Sequence, residues 1–230
     1  IKNRSWIKAG GIIKFYINPN SEELCKKLIL YFSQNDYDFY VLGNMSNIII
    51  RDGIIYTPII NLSKLNNIDD SISNGSLKLN VGSGVSIPRF AKFVINKGYS
   101  GTEGLLGIPG SLGGGIYMNS SSYESYISKY LIGVNVIDKN AKSFYLNNTE
   151  LNFSWRKSIL HEKKFIVCSC EFAFPKKNNL GIKKTKINAF NIMNHRRKFQ
   201  EDIYPNLGSI FATKNIYKDL SKVSLSFYLL

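Results

Sequence analysis

Gly107-Ile108-Pro109-Gly110-Ser111-Leu112-Gly113-Gly114-Gly115-Ile116-Tyr117-Met118-Asn119 sets five glycines within nine residues and closes on an aromatic and an amide. Without side chains, the main chain can approach a ligand directly and offer it amide N–H groups. Pro109 limits the flexibility that so many glycines bring. A loop this bare and this stiff points to a diphosphate or a flat cofactor lying on main chain. No Gly-Lys-Ser/Thr ending follows, so a nucleotide-hydrolysing P-loop is not supported. A second turn, Gly82-Ser83-Gly84, superficially resembles a dinucleotide-binding fingerprint. Its third glycine would fall at position 87, where Ile87 stands, and Glu103 is the one acidic residue near the ribose-holding distance. A Rossmann fold is therefore disfavoured.

Working outward, Ile12 to Ile17 reads as a strand, and Asn20 with Glu23 has the form of a capping box opening a helix. Leu24, Leu28, Tyr31 and Phe32 follow the spacing of one apolar face of that helix. Phe39 to Leu42 and Ile48 to Ile50 read as strands around the tight polar loop Gly43-Asn44-Met45-Ser46-Asn47. This opening is α/β in character. Strands are expected at Ile59 to Leu62, Leu77 to Val81, Leu131 to Asp138 and Phe165 to Phe174. Helices are expected from Ser86 to Lys97, with Gly98 as its stop, and from about Lys183 to Phe199. The hydroxyls and amides of Asn119-Ser120-Ser121-Ser122-Tyr123 read either as hydrogen-bonding groups for a ring or phosphates, or as a capped turn before a short helix.

Hydrophobic residues make up 44% of the 230 and charged residues 20%, as in ordinary globular proteins. No apolar run approaches the ~20 residues of a membrane helix. The first residues lack a signal-peptide pattern, so a cytoplasmic location is expected, although a start without Met leaves a removed leader open. Three cysteines fit reduced thiols. Cys168 and Cys170, two apart on a strand, are expected on one face as small core residues. With only His161 and His195 elsewhere they make a poor zinc set, and no metal is expected. A formal net charge of +14 favours anionic ligands. The denser basic stretch from Lys176 to Lys198 reads as a solvated helix face with one or two anion-contacting arginines. Nucleic-acid signatures are missing from it.

Five segments together resemble a known family, that of UDP-N-acetylenolpyruvoylglucosamine reductase. Gly107 to Asn119 resembles its flavin-binding pattern Gly-Ile-Pro-Gly-(Ser/Thr)-x-Gly-Gly followed by Asn. Trp6-Ile7-Lys8-Ala9-Gly10-Gly11 is similar to its N-terminal opening, and Leu42 to Asn47 to its Leu-Gly-x-Gly-Ser-Asn loop. Phe153-Ser154-Trp155-Arg156-Lys157-Ser158 matches Phe-x-Tyr-Arg-x-Ser, and Gly208-Ser209-Ile210-Phe211 matches Gly-Ser-(Val/Ile)-Phe. The five occur in order from residue 6 to residue 211.

The resemblance implies an α+β chain with a PCMH-type FAD-binding fold of two α/β subdomains, followed by a partial substrate domain. The expected boundaries are 1–175 for the FAD-binding domain, with subdomains of about 1–65 and 66–175, and 176–230 for a short or divergent substrate-binding region. It implies FAD as cofactor, NADPH as reductant and a nucleotide-sugar substrate, enolpyruvyl-UDP-GlcNAc. Ser209 stands at the family's proton donor, and Arg156 at the residue that binds the enolpyruvyl carboxylate. The implied cofactor-binding positions are Gly43, Asn44, Met45, Ser46 and Asn47 in one loop. In the other they are Gly107, Ile108, Pro109, Gly110, Ser111, Gly113, Gly114, Gly115, Tyr117 and Asn119. Asn44 and Met45 stand where glycine is usual, so their side chains are expected to crowd the flavin diphosphate or alter its path; Trp155 replaces the family's tyrosine, and its C-terminal glutamate has no counterpart before Leu230. A paralogue acting on another glycan precursor, or a non-catalytic flavin-binding module, are the competing expectations.

Overall fold

The computed structural model describes residues 1–176, 179–200, 204, 205 and 207, with backbone alone at 179 and 180. Its first part comprises β1 (Ile12–Ile13), β2 (Tyr16–Ile17), α1 (Glu22–Gln34), β3 (Tyr40–Leu42), β4 (Ile54–Ile55) and β5 (Ile59–Asn61). Strands β2, β5 and β3 form a parallel sheet in that order, and β1 pairs in parallel with β4. The single strand expected over 12–17 is thus two short strands in different sheets. Residues 48–50, expected as a strand, are not in a ladder. The chain there is tied only beyond them, where Gly11 N donates to Arg51 O.

Helix α1 starts one residue later than its capping-box reading, because Ser21 rather than Asn20 caps it, its Oγ accepting from Leu24 N at 3.1 Å. Its buried face is Cys25, Ile29 and Phe32, while Leu24 and Tyr31 point outward. Both stripes obey helical spacing. The one that turns inward carries the small Cys25, which lets the helix lie close against Cys168.

The second part adds β6 (Ile68–Ser73), β7 (Ser76–Gly82), α2 (Ile87–Asn96), α3 (Leu112–Tyr117), β8 (Ser121–Ser122) and β9 (Ser125–Tyr126). It continues with β10 (Leu131–Ile137), β11 (Ser143–Asn147), α4 (Ile159–Lys163) and β12 (Ile166–Phe174). Five strands form an antiparallel sheet in the order β11-β10-β12-β7-β6. Alternation puts Leu77, Leu79 and Val81 of β7 and Cys170, Phe172 and Phe174 of β12 into one core. Helix α2 covers it with Ile87, Phe90, Ala91 and Val94, the ring of Phe90 lying 4.6 Å from that of Phe172. Burying a side chain of this size contributes roughly 1.5–3 kcal/mol. Here sequence and structure agree: Ser86 caps the helix, Pro88 sits in its first turn, and Gly98 ends it at φ +89°.

A smaller core joins the two parts, with Cys25, Ile29 and Phe32 of α1 against Ile60, Leu62, Leu65, Ile137, Ile166 and Cys168. Cys168 and Cys170 therefore do not share a face. The register of β10 against β12 skips Cys168, running from Asn135↔Ser169 to Val136↔Val167. That bulge reverses the alternation, so Cys168 faces α1 while Cys170 faces α2. A hydrogen bond with Cys25, reinforced by burial, pushes the Cys168 thiol well above its usual range, so it stays protonated.

Beyond the junction, α5 (Asn179–Phe199) begins four residues before its expected start near Lys183. It presses Thr185, Ala189, Ile192 and Arg196 inward, at spacings of four, three and four. It lies against the 3-10 turn Glu103–Gly107.

Candidate cofactor and active site

The two glycine-containing loops, 43–47 and 107–115, meet where the first part of the chain abuts the second. Ser46 Oγ donates to Pro109 O at 3.0 Å, and Gly43 lies so close to Ser111 Oγ that a Cβ there would collide with it. Gly110 takes φ +141°, a conformation closed to other residues. The first loop is held from behind by Asn61 at the end of β5. This fully buried amide donates to Gly43 O at 2.7 Å and accepts from Ser63 N at 3.1 Å.

Among the described residues, the amides of Asn44, Met45, Ser46, Asn47, Gly110 and Ser111 donate to no other protein group. Main-chain donors left free along a glycine-lined stretch are what an oxygen-rich diphosphate needs. The hydroxyl of Ser83, against Gly113, and Oδ1 of Asn119 are also buried without a partner. The residues present therefore fit a dinucleotide cofactor. Met45 adopts φ +52° in place of the family's glycine and is buried.

The far end of the glycine-rich stretch is joined to the turn at 153–158. Asn119 Nδ2 donates to Ser154 O at 3.0 Å, and Ser158 Oγ donates to Tyr117 O at 2.9 Å. The Tyr117 ring lies 4.0 Å from that of His161, and burial pushes its phenol up. Within this turn Arg156 takes φ +57° and lies 5.1 Å from the Trp155 ring in a cation–π contact. Trp155 is exposed, and of the two aromatics before Arg156 only Phe153 packs on the core. Arg156 is half-buried and forms no ion pair among the described residues, which leaves its guanidinium available to an anion. Ser209, the expected proton donor, lies outside the described residues, as does all of Gly208 to Phe211.

One site residue was missed from the sequence. Arg196 belongs to the stretch read as a solvated helix face with one or two anion-contacting arginines, yet it is 8% exposed, and burial lowers its guanidinium pKa. Its Nη1 donates to Gly107 O at 3.2 Å and its Nη2 to Gly104 O at 3.2 Å and to Ser122 Oγ. The signal was present in the spacing Thr185, Ala189, Ile192, Arg196, but its two polar members hid the stripe. Residues 119–123 form no helix-capping turn either: 121–126 is a two-stranded hairpin, β8 with β9. Among the described residues no group of His, Cys, Asp and Glu could hold a metal. No described helix is long and apolar enough to cross a membrane.

Fold and cleft thus define a flavin-binding protein, and residues 13–145 match the family model of the FAD binding domain. The comparisons with whole proteins narrow the class. The chain is 33% identical over 217 residues to UDP-N-acetylenolpyruvoylglucosamine reductase of Clostridium novyi, covering 94% of this chain and 68% of the relative. It is 33% identical over 208 residues to the same-named protein of Lactobacillus acidophilus, covering 90% and 67%. The crystal structure of UDP-N-acetylenolpyruvylglucosamine reductase (MurB) from Thermus caldophilus superposes with a TM-score of 0.74 at 22% identity, over 93% of this chain and 73% of that one. A solvent-stable cholesterol oxidase shares the fold more distantly, with a TM-score of 0.56 at 13% identity over 75% of this chain and 36% of that one. The chain belongs to the UDP-N-acetylenolpyruvoylglucosamine reductase family and has its PCMH-type FAD-binding fold.

Proposed function

We propose that the protein is a NADPH-dependent flavoenzyme that reduces enolpyruvyl-UDP-GlcNAc to UDP-N-acetylmuramate in the cytoplasm, a step of peptidoglycan synthesis. The observation that supports this reading is that three separate segments, 43–47, 107–119 and 153–158, are joined by hydrogen bonds, with Arg156, which forms no ion pair among the described residues, in the last of them. Residues 1–175 form the flavin-binding unit, in subdomains of about 1–65 and 66–175, and 176–230 belongs to the substrate-binding region. The loops 43–47 and 107–119 hold the FAD diphosphate and ring on main-chain amides and on the side chains of Ser46, Ser111 and Asn119.

When bound, FAD supplies hydride transfer from NADPH to the enolpyruvyl double bond. Arg156 holds the substrate carboxylate and stabilises the enolate charge that develops beside it, a role suited to a fixed guanidinium. Arg156 has a left-handed backbone and stands in a turn that Asn119 and Ser158 tie to the glycine-rich stretch, which supports this role. Ser209 donates its hydroxyl proton to the carbon next to the one that receives hydride. A serine is a weak acid, so this step needs a neighbouring charge or relay. The net charge of +14 draws in a substrate and a reductant that are both polyanions.

The test is anaerobic. Protein reduced by NADPH is mixed with enolpyruvyl-UDP-GlcNAc and the flavin absorption is followed. Rapid reoxidation is expected in the wild type and is lost in Ser209→Ala. Arg156→Ala should leave FAD binding intact and slow reoxidation by about 10²–10³-fold. Flavin that binds but stays reduced overturns the reaction and points to a different acceptor or to a binding role.

A further inference from the structure

The glycine-rich loop leaves the body at one point and returns at another, and a single side chain grips both. At the departing stem, Arg196 Nη1 donates to Gly107 O and Nη2 to Gly104 O, both at 3.2 Å. At the returning stem, Nη2 also donates to Ser122 Oγ, and the guanidinium lies 5.1 Å from the Tyr123 ring centroid. A further bond from Nη1 to Gln200 Oε1, at 3.2 Å, fixes the residue to its own helix end. The fit is close on the protein side, since a Cβ at Gly107 would come within 2.4 Å of Arg196 Cδ.

The returning stem is strained. Tyr123 and Glu124, the central residues of the β8–β9 turn, take φ +46° and +61°, a conformation that two-residue hairpins normally assign to Asn-Gly. What holds it is again α5. Tyr123 Oη lies 2.6 Å from His195 Nδ1, and the two rings meet edge to face. Arg196 is buried, and no carboxylate among the described residues pairs with it. A guanidinium taken out of water persists when acceptors meet it; here both Nη atoms donate to the stems, Nη1 also to Gln200, while Nε is buried without a partner.

We propose that Arg196 is the positioning residue that closes both stems of the flavin loop and thereby sets the shape of the FAD seat. The inference rests on the FAD reading above. It also gives α5 a purpose beyond packing. A lysine cannot replace Arg196, because one ammonium has no planar fork to span two stems.

The experiment uses the full chain and titrates apoprotein with FAD by flavin fluorescence. It also records the visible circular dichroism of bound flavin and the thermal midpoint of the apoprotein. Arg196→Ala should weaken FAD binding by about 100-fold and Arg196→Lys by at least about tenfold, with an altered flavin spectrum at saturation. Millimolar ethylguanidinium should restore binding to Arg196→Ala by refilling the fork. Ser122→Ala, which removes only the returning-stem bond, should weaken FAD by a few-fold at an unchanged apoprotein midpoint; it decides the matter with Arg196→Lys if the alanine variant does not fold. Wild-type affinity and spectrum in Arg196→Lys and Ser122→Ala overturn the proposal. So do losses explained entirely by a smaller folded fraction. Wild-type protein that takes up no FAD overturns the cofactor reading itself, a distinguishable result.

Discussion

Asn61 shows how one buried amide can govern a loop that it does not belong to. Its donor holds Gly43 O, while its acceptor oxygen serves Ser63 N at 3.1 Å and Asn18 Nδ2 at 3.4 Å. Asn61→Leu keeps the volume and removes both functions, leaving Gly43 O and Ser63 N without these partners in a half-buried site. The cost is about 1–3 kcal/mol. For a chain of this size that lowers the thermal midpoint by about 2–4 °C per kcal/mol. FAD affinity should fall further than stability alone explains, because loop 43–47 loses its rear anchor. A calorimetric scan with and without FAD checks this, and an unchanged FAD-induced shift in midpoint would contradict it. Nothing in the sequence singled out Asn61, since an Asn ending a strand looks like any turn former. Arg156 was legible only through the motif around it; its left-handed backbone and its free guanidinium came from the structure.

Among the elements, legibility followed agreement between independent signals. Helix α2 was readable because the Ser86 cap, Pro88, the apolar stripe and the Gly98 stop all say the same thing. Helix α1 offered two overlapping stripes, and only packing against β12 chose between them. The bulge at Cys168 left no sequence trace, because Cys168-Ser169-Cys170 reads as the ordinary alternation of an unbroken strand. The β8–β9 hairpin was invisible for a different reason, since Tyr123-Glu124 is the wrong chemistry for its turn. Holding an L-residue in the left-handed region costs roughly 1–2 kcal/mol, and glycine would avoid that at a conformational-entropy cost of roughly 0.5–1 kcal/mol. Glu124 is exposed and makes no hydrogen bond or ion pair among the described residues, so Glu124→Gly removes strain without removing a contact there. It should raise stability by about 0.5–1 kcal/mol, read as a higher urea midpoint at an unchanged slope. Tyr123→Gly relieves the same strain but gives up His195 and Arg196, and should destabilise. Equal effects of the two glycines would show that α5 does not hold the turn.

At the scale of the whole molecule, segments far apart in sequence come together because β12 serves two cores. One of its faces meets α2 and the other meets α1, so loops 43–47 and 107–115 are brought edge to edge. Motif order revealed which segments belong to the site, but not this two-sided strand, which depends on the bulge. The same assembly makes an alkaline prediction. Burial raises the phenol pKa of Tyr16 beside β5 and of Tyr117 in the cleft, and both burial and the Glu171 carboxylate raise that of Tyr145 on the sheet edge. A raised phenol binds its proton in the folded chain after the unfolded chain has released it, so stability falls as pH rises. These groups contribute in full below the ordinary phenol value of 10.0 and lose that contribution above it. The urea midpoint should therefore drop above about pH 10. Lysine neutralisation in a chain of net charge +14 acts over the same range in the opposite sense, by relieving repulsion, so the single variant is the sharper reading. Tyr145→Phe removes the phenol that donates to Glu171 at 3.0 Å, and its midpoint should fall less steeply with pH than that of the wild type. Parallel curves for the two proteins would mean that Tyr145 titrates alike in both states, and that the Glu171 contact does not persist in solution.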